Sequence, residues 1–168
     1  MPMSGPTARP DGPALGLALQ LGARIREWPV TRTRLRRWVR MALAGDAEIT
    51  LRLVGRSEAI ALNRAYRGRD YAPNVLTFAY APIPGEPCRA DIALCLPVLR
   101  DEARRQHKPL DHHLAHLVIH GVLHAQGHDH LEPAQADRME ALETRLLARL
   151  RMPDPYTLAQ GARRGAPD

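Results

Sequence analysis

His116, His120, His124, His128 and His130 fall within fifteen residues, HLVIHGVLHAQGHDH, the first four spaced four apart. On an α-helix, residues i and i+4 share a side, about 6 Å apart along the axis, and each such step drifts about 40° around it. Five imidazoles so spaced cannot all converge on one ion, but adjacent pairs can. His120 and His124 are the best pair. Gly127 follows them and can turn the chain back, which brings His130 to the same point. Three neutral imidazoles leave one tetrahedral position open, the layout of a catalytic rather than a structural zinc. Such a zinc lowers the pKa of bound water toward about 7 and polarises a carbonyl or phosphoryl oxygen. His128 could replace His130 in the set, although it more simply extends the helix face. The competing reading is a run of solvated or capping histidines, since a helix C-terminus favours an imidazolium. His112, His113 and His116 are read as surface or supporting residues.

The residue after His120 is Gly121. A zinc peptidase of the H-E-x-x-H type carries its general base there, so peptidase chemistry is disfavoured. A glycine at that point would let another backbone or a substrate approach closely. Asp129 could orient a histidine or serve the turn.

These residues need a scaffold. The chain has 168 residues, 45% hydrophobic and 25% charged, enough for one domain with a real core. ALGLALQLGA from Ala14 reads as a first strand. Thr31 caps a helix that runs to about Ala44, where Gly45 stops it. EITLRLVG from Glu48 alternates Ile49, Leu51 and Leu53 with polar neighbours, a second strand. Ser57 opens a short helix to Tyr66; NVLTFAY is a third strand and DIALCL, from Asp91, a fourth. Helices follow over Pro97–His107, over Asp111–Gln126 with Asp111 as cap, and from Pro133, whose buried side is Met139, Leu142, Leu146, Leu147 and Leu150. The order βαβαββααα predicts an α+β fold: a single domain with a small mixed four-stranded sheet packed with about five helices. The domain is expected over 14–151, between a disordered Pro/Gly-rich stretch 1–13 and a flexible tail 152–168.

Composition narrows the partners. The formal net charge of +6 suits a polyanion, and Lys108 is the only lysine among 24 basic residues. Aromatics at 4% are too few for a broad base-stacking platform. The arginine-rich TRTRLRRWVR is either an RNA or ribosome contact or a solvated helix face. Cys88 and Cys95 lack C-x-x-C spacing and are read as free thiols of a cytoplasmic protein. The sequence shows no signal-peptide plan at its start and no apolar run near the roughly 20 residues of a membrane span.

Two motifs then carry a resemblance. HGVLHAQGHDH, from His120 to His130, is similar to the H-G-x-L-H-x-x-G-Y-D-H pattern of the YbeY family, bacterial metal-dependent endoribonucleases of ribosomal RNA maturation. LNRAYRGRDYAPNVLTF, from Leu62, resembles that family's second motif, with Ala72-Pro73 where the family has Pro-Thr. ADIALC from Ala90 and MEALETRLL in the last helix extend the likeness to roughly residues 45–150. The resemblance implies that His120, His124 and His130 are the metal ligands, that His128 replaces a tyrosine, and that Arg67 is the functional arginine. An arginine in the turn YRGRD can fork to phosphate or stabilise developing charge; the alternative is a solvated turn arginine. Asp70 would fix that loop by capping or by pairing with an arginine, and Asn74 would hold it against the strand. The implied activity is hydrolysis of single-stranded RNA in ribosomal RNA processing (3′-end maturation of 16S rRNA) and ribosome quality control. One Zn2+ per chain is expected, with nickel or another divalent transition metal as alternative. Ribosomal RNA and the ribosome or its proteins are the expected partners, with no membrane or DNA partner. The other class of reading is a ribosome-associated RNA-binding factor whose metal is structural, with His128 closing the sphere.

Overall fold

The computed structural model describes residues 12–128 and 131–157. Nine elements follow in the expected order: β1 (Leu15–Leu21), α1 (Arg32–Ala42), β2 (Ala47–Val54), α2 (Arg56–Arg67), β3 (Val75–Ala79), β4 (Cys88–Cys95), α3 (Leu96–Arg105), α4 (Leu110–Ala125) and α5 (Pro133–Arg149). They form one α+β domain, with five helices around an open four-stranded mixed sheet of order β1-β2-β4-β3. β1, β2 and β4 run parallel, while β3 is antiparallel to β4. Among the described residues no helix is long and apolar enough to cross a membrane.

β2 and β4 are the inner strands. Ile49, Leu51 and Leu53 alternate toward the core, as their period of two requires. In β4 the last four residues, Ile92 to Cys95, are all buried, the pattern of a strand covered on both faces. β4 begins at Cys88 rather than at Asp91, because Ala47 and Glu48 of β2 pair with Cys88 and Arg89.

α4 is the pillar of the molecule. It packs against α1, α3, α5, β3 and β4, and every residue from His113 to Ile119 is buried. Asp111 does not cap it. Pro109 is the N-cap residue, and the Asp111 carboxylate lies inside the first turn, accepting from the His112 N–H and pairing with Arg34 of α1 at 2.9 Å. Thr31 does cap α1, accepting from the Arg34 N–H at 3.3 Å. That helix closes at Ala42, two residues before Ala44, when Leu43 turns extended.

The arginines of α1 are partly structural. Arg32 and Arg36 donate to the carbonyls of Leu17 and Leu15, at 2.5 and 3.1 Å. β1 is an edge strand, so the two guanidinium groups occupy acceptors that another strand would otherwise seek. Past α5 the chain stays packed beyond residue 151: Met152 joins the core and Tyr156 docks on α4 and α5. The rest of the expected tail, from residue 158, and the N-terminal residues 1–11 lie outside the described residues. Cys88 and Cys95 are both free thiols.

Candidate metal and phosphate site

The last turns of α4 present His120 and His124 side by side. Their ring centroids are 6.5 Å apart and the rings nearly parallel, 12° between planes. Two hydrogen bonds decide which nitrogen of each faces outward. Glu143, from the middle of α5, places Oε1 2.6 Å from Nδ1 of His120. The backbone carbonyl of His128 lies 3.0 Å from Nδ1 of His124. A carbonyl and an ionised carboxylate can only accept, so in each neutral ring Nδ1 carries the proton and Nε2 the lone pair. That is the tautomer a metal-binding imidazole needs, fixed in the way ligand histidines usually are.

The carbonyl of His128 is held there by the helix terminus. Gly127 is left-handed, φ +97°, a conformation that glycine adopts without a Cβ clash. The His128 N–H bonds the Leu123 carbonyl and the Gly127 N–H that of His124, closing α4 in a Schellman arrangement. His128 thus acts on the site through its backbone. His130 and Asp129 lie outside the described residues, and among the described residues no group of three or more His, Cys, Asp or Glu side chains is placed to hold a metal ion.

Glu143 is the residue that pattern reading missed. It is fully buried, and besides His120 it accepts from Nε2 of His116 at 2.8 Å and from the Tyr156 hydroxyl. Burial alone would raise its pKa, but the hydrogen bonds from His116 and His120 outweigh it and bring the carboxyl down to about 2. The carboxylate is therefore ionised at neutral pH, as the tautomer argument requires. Burial keeps His116 below the ordinary imidazole pKa despite Glu143. Its Nε2 is committed to the carboxylate, so His116 supports the site and does not ligate. The one available signal was a glutamate at a position where α5 is otherwise apolar, four residues before Leu147.

Facing these histidines is the loop after α2. Arg67 is the last residue of that helix, and Gly68 ends it in a left-handed conformation, φ +64°. Asn63, fully buried, donates from Nδ2 to the Tyr71 carbonyl at 2.9 Å and so ties the loop to α2. Asp70 pairs with Arg64, as expected of a loop-fixing acid. Asn74 does two things. Its carbonyl accepts the Cys95 N–H at the end of β4, and its amide donates to Glu102 of α3 at 3.1 Å. Glu102 also accepts from His113 at 3.1 Å. Burial would raise Glu102, but these two donors hold its carboxyl below the usual range. The result is a cleft of about 360 Å³ lined by Arg67, Asn74, Thr77, Glu102, His120 and His124, with Tyr71 at its rim. It brings together Arg67 and two of the three expected ligands.

Gly121 has another purpose than the one expected. A Cβ there would meet Ile92 Cγ2 at 3.0 Å, Ile92 Cδ1 at 3.2 Å and Thr77 Oγ1 at 3.3 Å. The glycine lets α4 lie close on β3 and β4; what approaches it is the sheet's side chains, not a substrate or a second backbone.

Comparison with known proteins bears on the family. The family model described as endoribonuclease YbeY matches residues 25–151. A protein named endoribonuclease YbeY from Thiobacillus denitrificans is 51% identical over 144 residues, 86% of this chain and 97% of that one. One of the same name from Bordetella pertussis is 51% identical over 158 residues, 86% of this chain and 98% of its own. The solution structure of a Thermotoga maritima protein superposes with a TM-score of 0.50 at 23% identity, covering 80% of this chain and 91% of that one, which speaks to the fold alone. With the family model spanning three of the four strands, the cleft and α5, and relatives half identical along nearly their whole length, this chain belongs to the endoribonuclease YbeY family.

Proposed function

We propose that this chain is a metal-dependent endoribonuclease that hydrolyses single-stranded RNA in the cytoplasm. Its work is ribosomal RNA processing, including 3′-end maturation of 16S rRNA, and ribosome quality control, with the ribosome or its proteins as partner. The observation that carries the reading is the single cleft in which Arg67 faces His120 and His124. A phosphodiester needs both a fork for its anionic oxygens and a centre that polarises one of them.

The donor set fits a divalent transition metal, zinc first. His120 and His124 each have Nδ1 engaged by an acceptor and Nε2 as the lone-pair nitrogen, and His130 is the third proposed ligand. When bound, the ion supplies Lewis-acid polarisation of a phosphoryl oxygen and a water of lowered pKa. The protein's own groups do the remainder. Arg67 binds the scissile phosphate through its guanidinium and neutralises charge that grows on the oxygens. Glu143 holds the Nδ1 proton of His120. Asn74 and Glu102 keep the loop against α3, which sets the width of the cleft.

The test is cleavage of a single-stranded ribosomal RNA fragment by matched preparations of wild type, His124→Ala and Arg67→Ala, each checked for fold by circular dichroism. Cutting is expected from the wild type alone. Equal cutting by all three would mean a contaminating nuclease and would leave an RNA-binding factor with a metal-supported fold.

A further inference from the structure

A second cavity, of about 840 Å³, adjoins the cleft and is more than twice its size. It lies between the α3–α4 turn and the segment Met152–Thr157, and shares Asn74 and Glu102 with the cleft as a common wall. Its volume falls in the range of about 300–1,000 Å³ usual for ligand sites. Its floor is apolar, formed by Leu117, Leu147 and Met152, all buried. Arg105, Lys108, His107 and His112 stand at its rim. Two acids face it as well, Glu102, which accepts from Asn74 and His113, and Asp154, which accepts from the Tyr156 N–H and the Thr144 hydroxyl. Their carboxylates balance Arg105 and Lys108 in formal charge, and the chain's single lysine is half-buried at the mouth of the apolar cavity beside Arg105.

We infer that this cavity is a second nucleotide subsite, which takes the nucleotide of a single-stranded RNA next to the one held between Arg67 and His120. The inference rests on the endoribonuclease reading and extends it. A nucleotide matches the cavity in both of its parts. The face of a base is apolar and suits Leu117, Leu147 and Met152, while its phosphate suits Arg105 and Lys108. Burial lowers the Lys108 pKa, and an anion alongside offsets that loss of hydration. Adjacency supplies the order along the strand: Asn74 and Glu102 line both cavities, so neighbouring nucleotides of one strand would lie on either side of them.

The test uses the full chain, 2′-O-methyladenosine 5′-monophosphate and the 2′-O-methyl oligoadenylate tetramer, with affinity read by calorimetry at several salt concentrations. The variant is Arg105→Gln combined with Lys108→Gln, neither residue being part of the cleft. The tetramer is expected to bind roughly tenfold more weakly to the variant, and its log–log salt slope to shrink by about 0.7, the value for one phosphate on a single strand. Mononucleotide binding should be unchanged. In the wild type, the Met152 methyl resonance should move with the tetramer and not with the mononucleotide. Equal tetramer binding by variant and wild type, equal weakening of both ligands, or a silent Met152 methyl would each overturn the subsite. If the wild type still cuts RNA and still binds the mononucleotide, only this inference fails. If neither ligand binds and nothing is cut, the endoribonuclease reading fails with it.

Discussion

Glu143→Gln is the most informative single change. The amide keeps the shape of the carboxylate, so packing is preserved and only hydrogen bonding changes. Glu143 accepts from three donors: His120 on Oε1, and His116 and Tyr156 on Oε2. A glutamine offers one acceptor and one NH2. If the NH2 faces His116 and Tyr156, two buried donors oppose it. If it faces His120, that ring must move its proton to Nε2, and the lone pair leaves the cleft. Each buried donor left unmatched costs about 1–3 kcal/mol, so the first orientation costs about 2–6 kcal/mol. The second costs less in stability and removes the ligand tautomer, so metal affinity should fall by about 10–100-fold. Urea unfolding with and without chelator, together with competitive zinc titration, separates the two. A variant within about 0.5 kcal/mol of wild type that also binds zinc as tightly would refute the assignment of Glu143 as the group that sets the His120 tautomer.

Other outcomes follow from the same geometry. Gly121→Ala gains up to about 1 kcal/mol of helix propensity, but its Cβ meets Ile92, which is fully buried and has no room to yield; overpacking of about 1–3 kcal/mol should prevail, read as a lower urea midpoint. Gly68→Ala meets no atom within 4 Å yet sits at φ +64°, so a loss of about 1–2 kcal/mol is expected from backbone strain alone, with RNA cleavage reduced because Arg67 is the preceding residue. Glu102 carries a pH signature. Its carboxyl is held below the usual range in the folded state, so as pH falls the unfolded chain takes up the proton first. The stabilisation is present at neutral pH and is lost on acidification. Glu102→Gln should therefore be less stable than wild type at pH 7 by about 1 kcal/mol, with the gap closing below the ordinary carboxylate range.

Much of this was legible in the chain itself, where local pattern and structure coincide. EITLRLVG has the period of a half-buried strand and forms β2. Thr31 before an amphipathic run caps α1, and Gly127 after the last histidine pair ends α4. The YRGRD loop and the histidine pair meet in one cleft because their motifs lie at the end of α2 and the end of α4. What was illegible is non-local. The start of β4 depends on pairing with Ala47, and the purpose of Gly121 depends on Ile92, 29 positions away in sequence by the numbering. Glu143 looks like any charged residue of an amphipathic helix until α5 turns it toward α4. Tyr156 falls in a Pro-rich stretch whose composition suggests a loose tail, yet its ring packs on His116.

The hydrogen bonds around Glu143 also set an order in time. A chain made from its N-terminus presents His116 and His120 well before their carboxylate, which follows His120 by 23 residues, and Tyr156 follows His116 by 40. Until α5 has been synthesised and docked, the His120 ring lacks the acceptor that fixes its proton. An incomplete chain still being extended therefore carries the histidine pair without the tautomer that would arm it. On the metal reading proposed above, competence of the site arrives only with the last packed segment.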